Sequence, residues 1–96
     1  MSYEVIFHPG ALRELDKLPK AAQERLAQSI DALEIEPRPQ GAIKLSGADA
    51  YRIRVGNYRA AYSVKDDKLI VLVVSVGHRK DVYQEMETIR KRLKGP

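Results

Sequence analysis

The chain has 96 residues, 17 Lys and Arg against 13 Asp and Glu, a net charge of +4 at pH 7, and no cysteine. Without a Pro/Gly/Ser-rich linker, residues 1–96 fit one domain, whose core would bury about 60–65% of the unfolded chain's surface. The missing thiols exclude disulfides, cysteine nucleophiles and Cys-ligated zinc, and the positive excess biases partners toward phosphates and acidic proteins.

No stretch approaches about 20 consecutive apolar residues, and no N-terminal run has the make-up of a secretory signal. A cytoplasmic protein without membrane association is therefore expected.

Ser2 to Phe7 reads as a first strand, with Tyr3, Val5 and Phe7 on one face. His8-Pro9 ends it, and Pro9 suits the first position of a helix because its missing N–H is not needed there. Ala11, Leu12, Leu15 and Leu18 recur at helical spacing up to Pro19, and Ala22, Leu26, Ile30 and Leu33 resume it from Lys20. These spacings predict an αα-hairpin with a short Leu18-Pro19-Lys20 link.

The prolines of Glu36-Pro37-Arg38-Pro39-Gln40-Gly41 stop the second helix. A short strand at Ile43-Lys44-Leu45 and a Ser46-Gly47 turn follow.

Tyr51-Arg52-Ile53-Arg54-Val55 alternates apolar and charged residues, as a strand with one buried face does. Gly56-Asn57 suits a type II′ turn, and Tyr58 to Val64 returns as the partner strand. A two-residue turn sets Val55 opposite Tyr58, Arg54 opposite Arg59 and Arg52 opposite Ala61. Facing arginines repel, and an anion between them would relieve that repulsion.

Lys65-Asp66-Asp67-Lys68 reads as a polar turn, its paired aspartates serving turn chemistry rather than a metal. Leu69 to Val76 is almost continuously apolar and β-branched, so an interior strand covered on both faces is expected. Folded back without a bulge, it would set Val74 opposite Arg59 and aim Val76 and His78 at the arginine face. Asp81 with Gln84 reads as a capping pair for a last helix striped by Val82, Met86, Ile89 and Leu93.

Arg52, Arg54, Arg59, His78, Arg79 and Tyr83, with Lys44 and Lys80 nearby in sequence, make a phosphate-handling set. Arginine forks grip two phosphate oxygens and stay charged. Metal-free RNA cleavage needs a base for the 2′-hydroxyl, an acid for the departing 5′-oxygen, and cations on the phosphorane. Arg59 and Arg79 suit the last role. His78, with an ordinary pKa of about 6.5, suits either proton transfer, and Tyr83 becomes a base only where cations lower it from about 10. Its ring could instead stack on a nucleobase.

In the order and spacing of Glu34-Ile35-Glu36-Pro37, Lys44-Leu45-Ser46-Gly47, Tyr51-Arg52-Ile53-Arg54, Asn57-Tyr58-Arg59-Ala60-Ala61-Tyr62 and Val76-Gly77-His78-Arg79-Lys80-Asp81-Val82-Tyr83, the chain resembles the RelE/ParE superfamily of type II toxin-antitoxin toxins. The resemblance implies an α+β fold, a small antiparallel sheet with an N-terminal helical hairpin packed on it, in the order β-α-α-β-β-β-α. For RelE-type members it implies messenger RNA cleavage in the ribosomal A site by 2′-hydroxyl attack, with no metal or cofactor, and a cognate antitoxin.

Carried over by position, the resemblance gives Arg59 the transition state, Arg79 the leaving group, and Tyr83 the attacking hydroxyl. Arg52 and Arg54 would then hold the scissile phosphate, with His78 sharing the proton work. ParE-type members instead inhibit DNA gyrase by protein contact, and that alternative stays open here, as does a phosphate-binding domain without toxicity.

Overall fold

A computed structural model describes residues 2–78 and 82–94, with 82–84 as backbone alone. Strand β1 (Glu4–Phe7) leads into helices α1 (Pro9–Asp16) and α2 (Lys20–Asp31), then a 3-10 turn at Ala32–Glu34. The strands β2 (Ile43–Lys44), β3 (Tyr51–Val55), β4 (Tyr58–Lys65) and β5 (Ile70–His78) follow, and α3 (Val82–Leu93) closes the order.

The sheet runs β1-β5-β4-β3-β2. From β2 to β5 each neighbouring pair is antiparallel. β1 joins the outer side of β5 in parallel, because the helical hairpin returns the chain to the end where β1 began and β3 and β5 both set out from that end. The expected order of helices and strands is recovered, with the two-residue β2 at one edge.

Local chemistry accounts for the breaks between elements. Pro9 takes a first-turn position in α1, and the N–H of Gly10 donates to His8 Nδ1 at 3.0 Å, capping the helix start. Pro19 caps α2. In the β3–β4 turn Gly56 has φ +63° while Asn57 stays negative, the pattern of a type II′ turn. The register follows as expected, with Val55 opposite Tyr58, Arg54 opposite Arg59 and Arg52 opposite Ala61.

The next hairpin departs from the expected pairing in two ways. Its turn is longer, so Val64 pairs with Val71 rather than Leu69, and Leu69 takes a left-handed φ of 54° to close it. That shift of two residues leaves every side chain on its face. A bulge between Ala61 and Tyr62 then adds Val74 as an unmatched residue and sets Gly77 opposite Arg59, with His78 opposite Tyr58. One extra residue reverses the faces.

Two apolar layers result. Between the helical hairpin and the sheet lie Ala11, Leu15, Leu26, Ile30, Leu33, Ile53, Ala60, Tyr62, Val71, Val73 and Val76. Leu12, assigned to the buried stripe by its spacing, turns to solvent at 47% exposure. On the opposite face Ala50, Ala61 and Val74 meet Ile89 of α3, with Leu45, Leu72, Met86 and Leu93 around them.

At the far end of the sheet from the β3–β4 turn, the buried Tyr62 hydroxyl donates to the Pro37 carbonyl at 2.8 Å. Tyr51 stacks on the Tyr62 ring with centroids 6.0 Å apart. Arg38 spans this end, donating to Asp66 at 2.8 and 3.1 Å and to the Tyr51 hydroxyl at 3.0 Å. Because the Pro37 carbonyl is buried with its bond, Tyr62→Phe is expected to cost about 1–3 kcal/mol in urea unfolding. Asp66→Asn weakens an exposed pair and should lower the midpoint less than Tyr62→Phe does.

Candidate functional site

The β3–β4 register puts Arg52, Arg54 and Arg59 on the sheet face turned away from the helical hairpin. Arg59 is 2% exposed, on a central strand, and its guanidinium Nη1 pairs with Glu85 Oε1 of α3. Across from Arg59, Gly77 offers no side chain, and a Cβ there would stand 3.4 Å from Arg59 Nη2. The glycine leaves the guanidinium room to lie along the sheet.

Glu85 is itself buried. Burial pushes its carboxyl up to about 7, against the pull of Arg59 and then Arg52, both of which favour the ionised form. Arg52 therefore shares the electrostatic neighbourhood of Glu85, and its buried Nε has no hydrogen-bond partner among the described residues. Next to the pair is a cavity of about 230 Å³ lined by Glu14, Arg59, Ser75, Val76, Gly77, Glu85 and Thr88.

Further polar ties hold α3 in place. β1 stops pairing with β5 at Val73, which leaves the outer edge of β5 open beyond that point. Glu14 of α1 accepts from the Val76 N–H at 3.1 Å, and Arg92 of α3 donates to the Val74 carbonyl at 2.8 Å and to Glu14 at 2.9 Å. One carboxylate and one guanidinium thus stand in for a missing strand. Arg90 adds a bond to the Gly47 carbonyl at 3.0 Å.

The residues singled out from the sequence divide into three groups. Arg52 and Arg59 converge around Glu85, with the exposed Arg54 beside them by register. Lys44 and His78 do not join them. Lys44 pairs in register with Tyr51, lies 5.3 Å over its ring and is bound to Asp49 at 2.9 Å, so it sits on the opposite face. His78 was expected on the arginine face, but the bulge places it beside Tyr58, edge to face at 5.7 Å. Arg79, Lys80 and the Tyr83 side chain lie outside the described residues, as does the Asp81–Gln84 capping pair.

Glu85 was missed in the sequence. Its signal was its spacing, three residues after Val82 and four before Ile89, which puts a carboxylate inside the apolar stripe of α3. A buried acid opposite an arginine face points to an ion pair.

The family described as "ParE toxin of type II toxin-antitoxin system, parDE" matches residues 5–83. Among curated relatives, the "mRNA interferase toxin RelE" of Escherichia coli (strain K12) is 38% identical over 90 residues, covering 88% of this chain and 94% of the relative. A substituted E. coli RelE toxin solved in the free state superimposes with a TM-score of 0.82 at 32% identity, covering 97% of this chain and 99% of that one. The toxin in the intact E. coli RelBE toxin-antitoxin complex gives a TM-score of 0.72 at 35% identity, with 80% of this chain and 96% of that one covered. The chain belongs to this family of type II toxin-antitoxin toxins. Within it, the named relatives and the solved structures put the chain on the RelE-type side.

Removing one member of a buried ion pair leaves the other uncompensated, whereas replacing both with apolar groups relieves both burdens. Glu85→Leu is therefore expected to destabilise by about 3–5 kcal/mol. The double variant Glu85→Leu/Arg59→Met should recover most of that loss. Urea unfolding of the two singles and the double checks this, and strict additivity would show that the pair is not coupled.

Proposed function

We propose that this RelE-type toxin is a metal-independent endoribonuclease that cuts messenger RNA on the ribosome by attack of a 2′-hydroxyl on the adjacent phosphate. The observation that supports it most is the convergence of Arg52 and Arg59 on one carboxylate, with Arg54 alongside. A cluster that accepts one resident anion has the charge to accept a phosphate. Kinship with a protein named as an mRNA interferase supplies the substrate class.

In this reading Arg59 stabilises the extra charge of the phosphorane, and Arg52 and Arg54 hold the scissile phosphate. Arg79 serves the leaving oxygen, Tyr83 orients or activates the attacking hydroxyl, and Lys80 adds a backbone contact. His78 would reach the phosphate only round the end of β5, so proton transfer falls first to Tyr83 and second to His78. Lys44, on the other face and bound to Asp49, takes no part.

The RelBE complex among its structural relatives supports an antitoxin partner for this chain too. Site and partner would then operate in the cytoplasm. A basic face bound through charge predicts an antitoxin complex that weakens with salt.

The family match is to a description that names ParE, which keeps gyrase inhibition as the second reading. Mapping 5′-hydroxyl ends on ribosome-bound messenger after brief expression separates the two. Cuts within codons, abolished by Arg79→Ala, are expected. Accumulating DNA cleavage complexes while translation continues would favour the gyrase reading.

A further inference from the structure

Arg59 already holds an anion, and that anion belongs to the chain itself. Both partners are buried, the guanidinium at 2% exposure and Glu85 at 7%. A carboxylate and a phosphate diester present the same pair of oxygens to an arginine fork, so an incoming phosphate and Glu85 compete for one donor set. Arg52 directs a second positive charge at that carboxylate, and its buried Nε is a donor without a partner among the described residues.

The carboxyl has somewhere to go. The cavity of about 230 Å³ beside the pair is lined by Glu85 itself and by the hydroxyl-bearing Ser75 and Thr88. Nor must the helix leave, since Ile89, Arg90 and Arg92 hold α3 through contacts that do not involve Glu85.

We propose that Glu85 is the resident anion of the Arg59 phosphate site, and that an RNA backbone phosphate enters by displacing it into the adjoining cavity, where the carboxylate takes up a proton from solvent. The proposal rests on the RNA-cleavage reading and adds a residue that sets how readily, and at what pH, the site accepts its substrate.

Among the described residues, the charged groups facing Glu85 are Arg59 from β4, Arg52 from β3 and Glu14 from α1. The β5 residues at the cavity, Ser75, Val76 and Gly77, carry no titratable group. Arg92 of its own helix is taken up by Glu14 and the Val74 carbonyl. A phosphate that takes up the guanidinium's hydrogen bonds and brings its own negative charge beside the carboxyl raises the carboxyl's hold on its proton. The RNA complex therefore binds that proton more tightly than the free chain does.

With the free carboxyl near 7, RNA affinity should rise as pH falls from the alkaline side toward 7, by at most about tenfold per pH unit. Below that it should level off, because Glu85 of the free chain is then already protonated.

Fluorescence anisotropy with a short single-stranded 2′-O-methyl RNA, which has no free 2′-hydroxyl to attack with, tests this from about pH 6 to about pH 9. The wild-type chain should show the rise and plateau, a titration that needs no variant. Glu85→Gln should bind with a flat pH profile and about tenfold or more tightly than wild type at the alkaline end.

A flat or inverted wild-type profile overturns the proposal. So does a slope that survives Glu85→Gln. Arg59→Gln separates RNA binding at Arg59 from displacement of Glu85. If it binds RNA as well as wild type, the RNA reading of Arg59 has failed. If it loses binding while Glu85→Gln also binds more weakly, only the displacement proposal has.

Discussion

A guanidinium buried on a sheet face needs a counter-charge, and Arg59 finds one in Glu85, on an element that arrives last in the chain. Neither group is tenable alone in that position. An ion pair lifted from water repays its desolvation only when its geometry holds, and its loss leaves an uncompensated charge behind. The interaction therefore ties the settled position of Arg59 to α3, beside the apolar and Arg90/Arg92 contacts that also hold the helix.

The rest of that face is built for the same closure. The sheet there offers small side chains, Ala50, Ala61, Ser63 and Ser75, which let the helix approach closely, and α3 answers with Ile89 fully buried and Met86 and Leu93 half-buried. Such a contact is shallow in apolar area. Its specificity comes from the polar ties, in which Glu14 and Arg92 satisfy the open edge of β5 and Arg90 reaches Gly47. The bulge at Ala61/Tyr62 is what makes room, because it brings Gly77 opposite Arg59 and sends Val76 into the other core and His78 beside Tyr58.

Much of this was readable beforehand. Hydrophobic periodicity located both helices of the hairpin, and the Gly56-Asn57 turn determined the pairing of Arg54 with Arg59, since a two-residue loop admits one register. The β4–β5 hairpin was not readable to the same degree. Nothing in Lys65-Asp66-Asp67-Lys68 announces that Leu69 will take a left-handed φ, and no residue type marks Val74 as the unmatched residue of a bulge. Because faces alternate, that one residue moved His78 away from the arginines. Proximity in sequence groups Lys44 with the arginines, but pairing with Tyr51 carries it to the opposite face. Glu85 was visible in the spacing of α3, but a carboxylate in an apolar stripe identifies its partner only once the opposite surface is known to hold arginines.

For a toxin of the RelE type, these features describe a basic face that the chain partly covers with its own last helix, holding its central arginine on an internal carboxylate. The central claim is that the Arg59–Glu85 pair adds to the hold that Ile89, Arg90 and Arg92 keep on α3. Hydrogen–deuterium exchange across the α3 amides, compared between the chain and its Arg59→Gln variant, tests it most directly. The α3 amides should exchange several-fold faster in the variant, with the helix still docked by Ile89, Arg90 and Arg92, while β4 and β5 stay protected. Unchanged protection of α3 would contradict it.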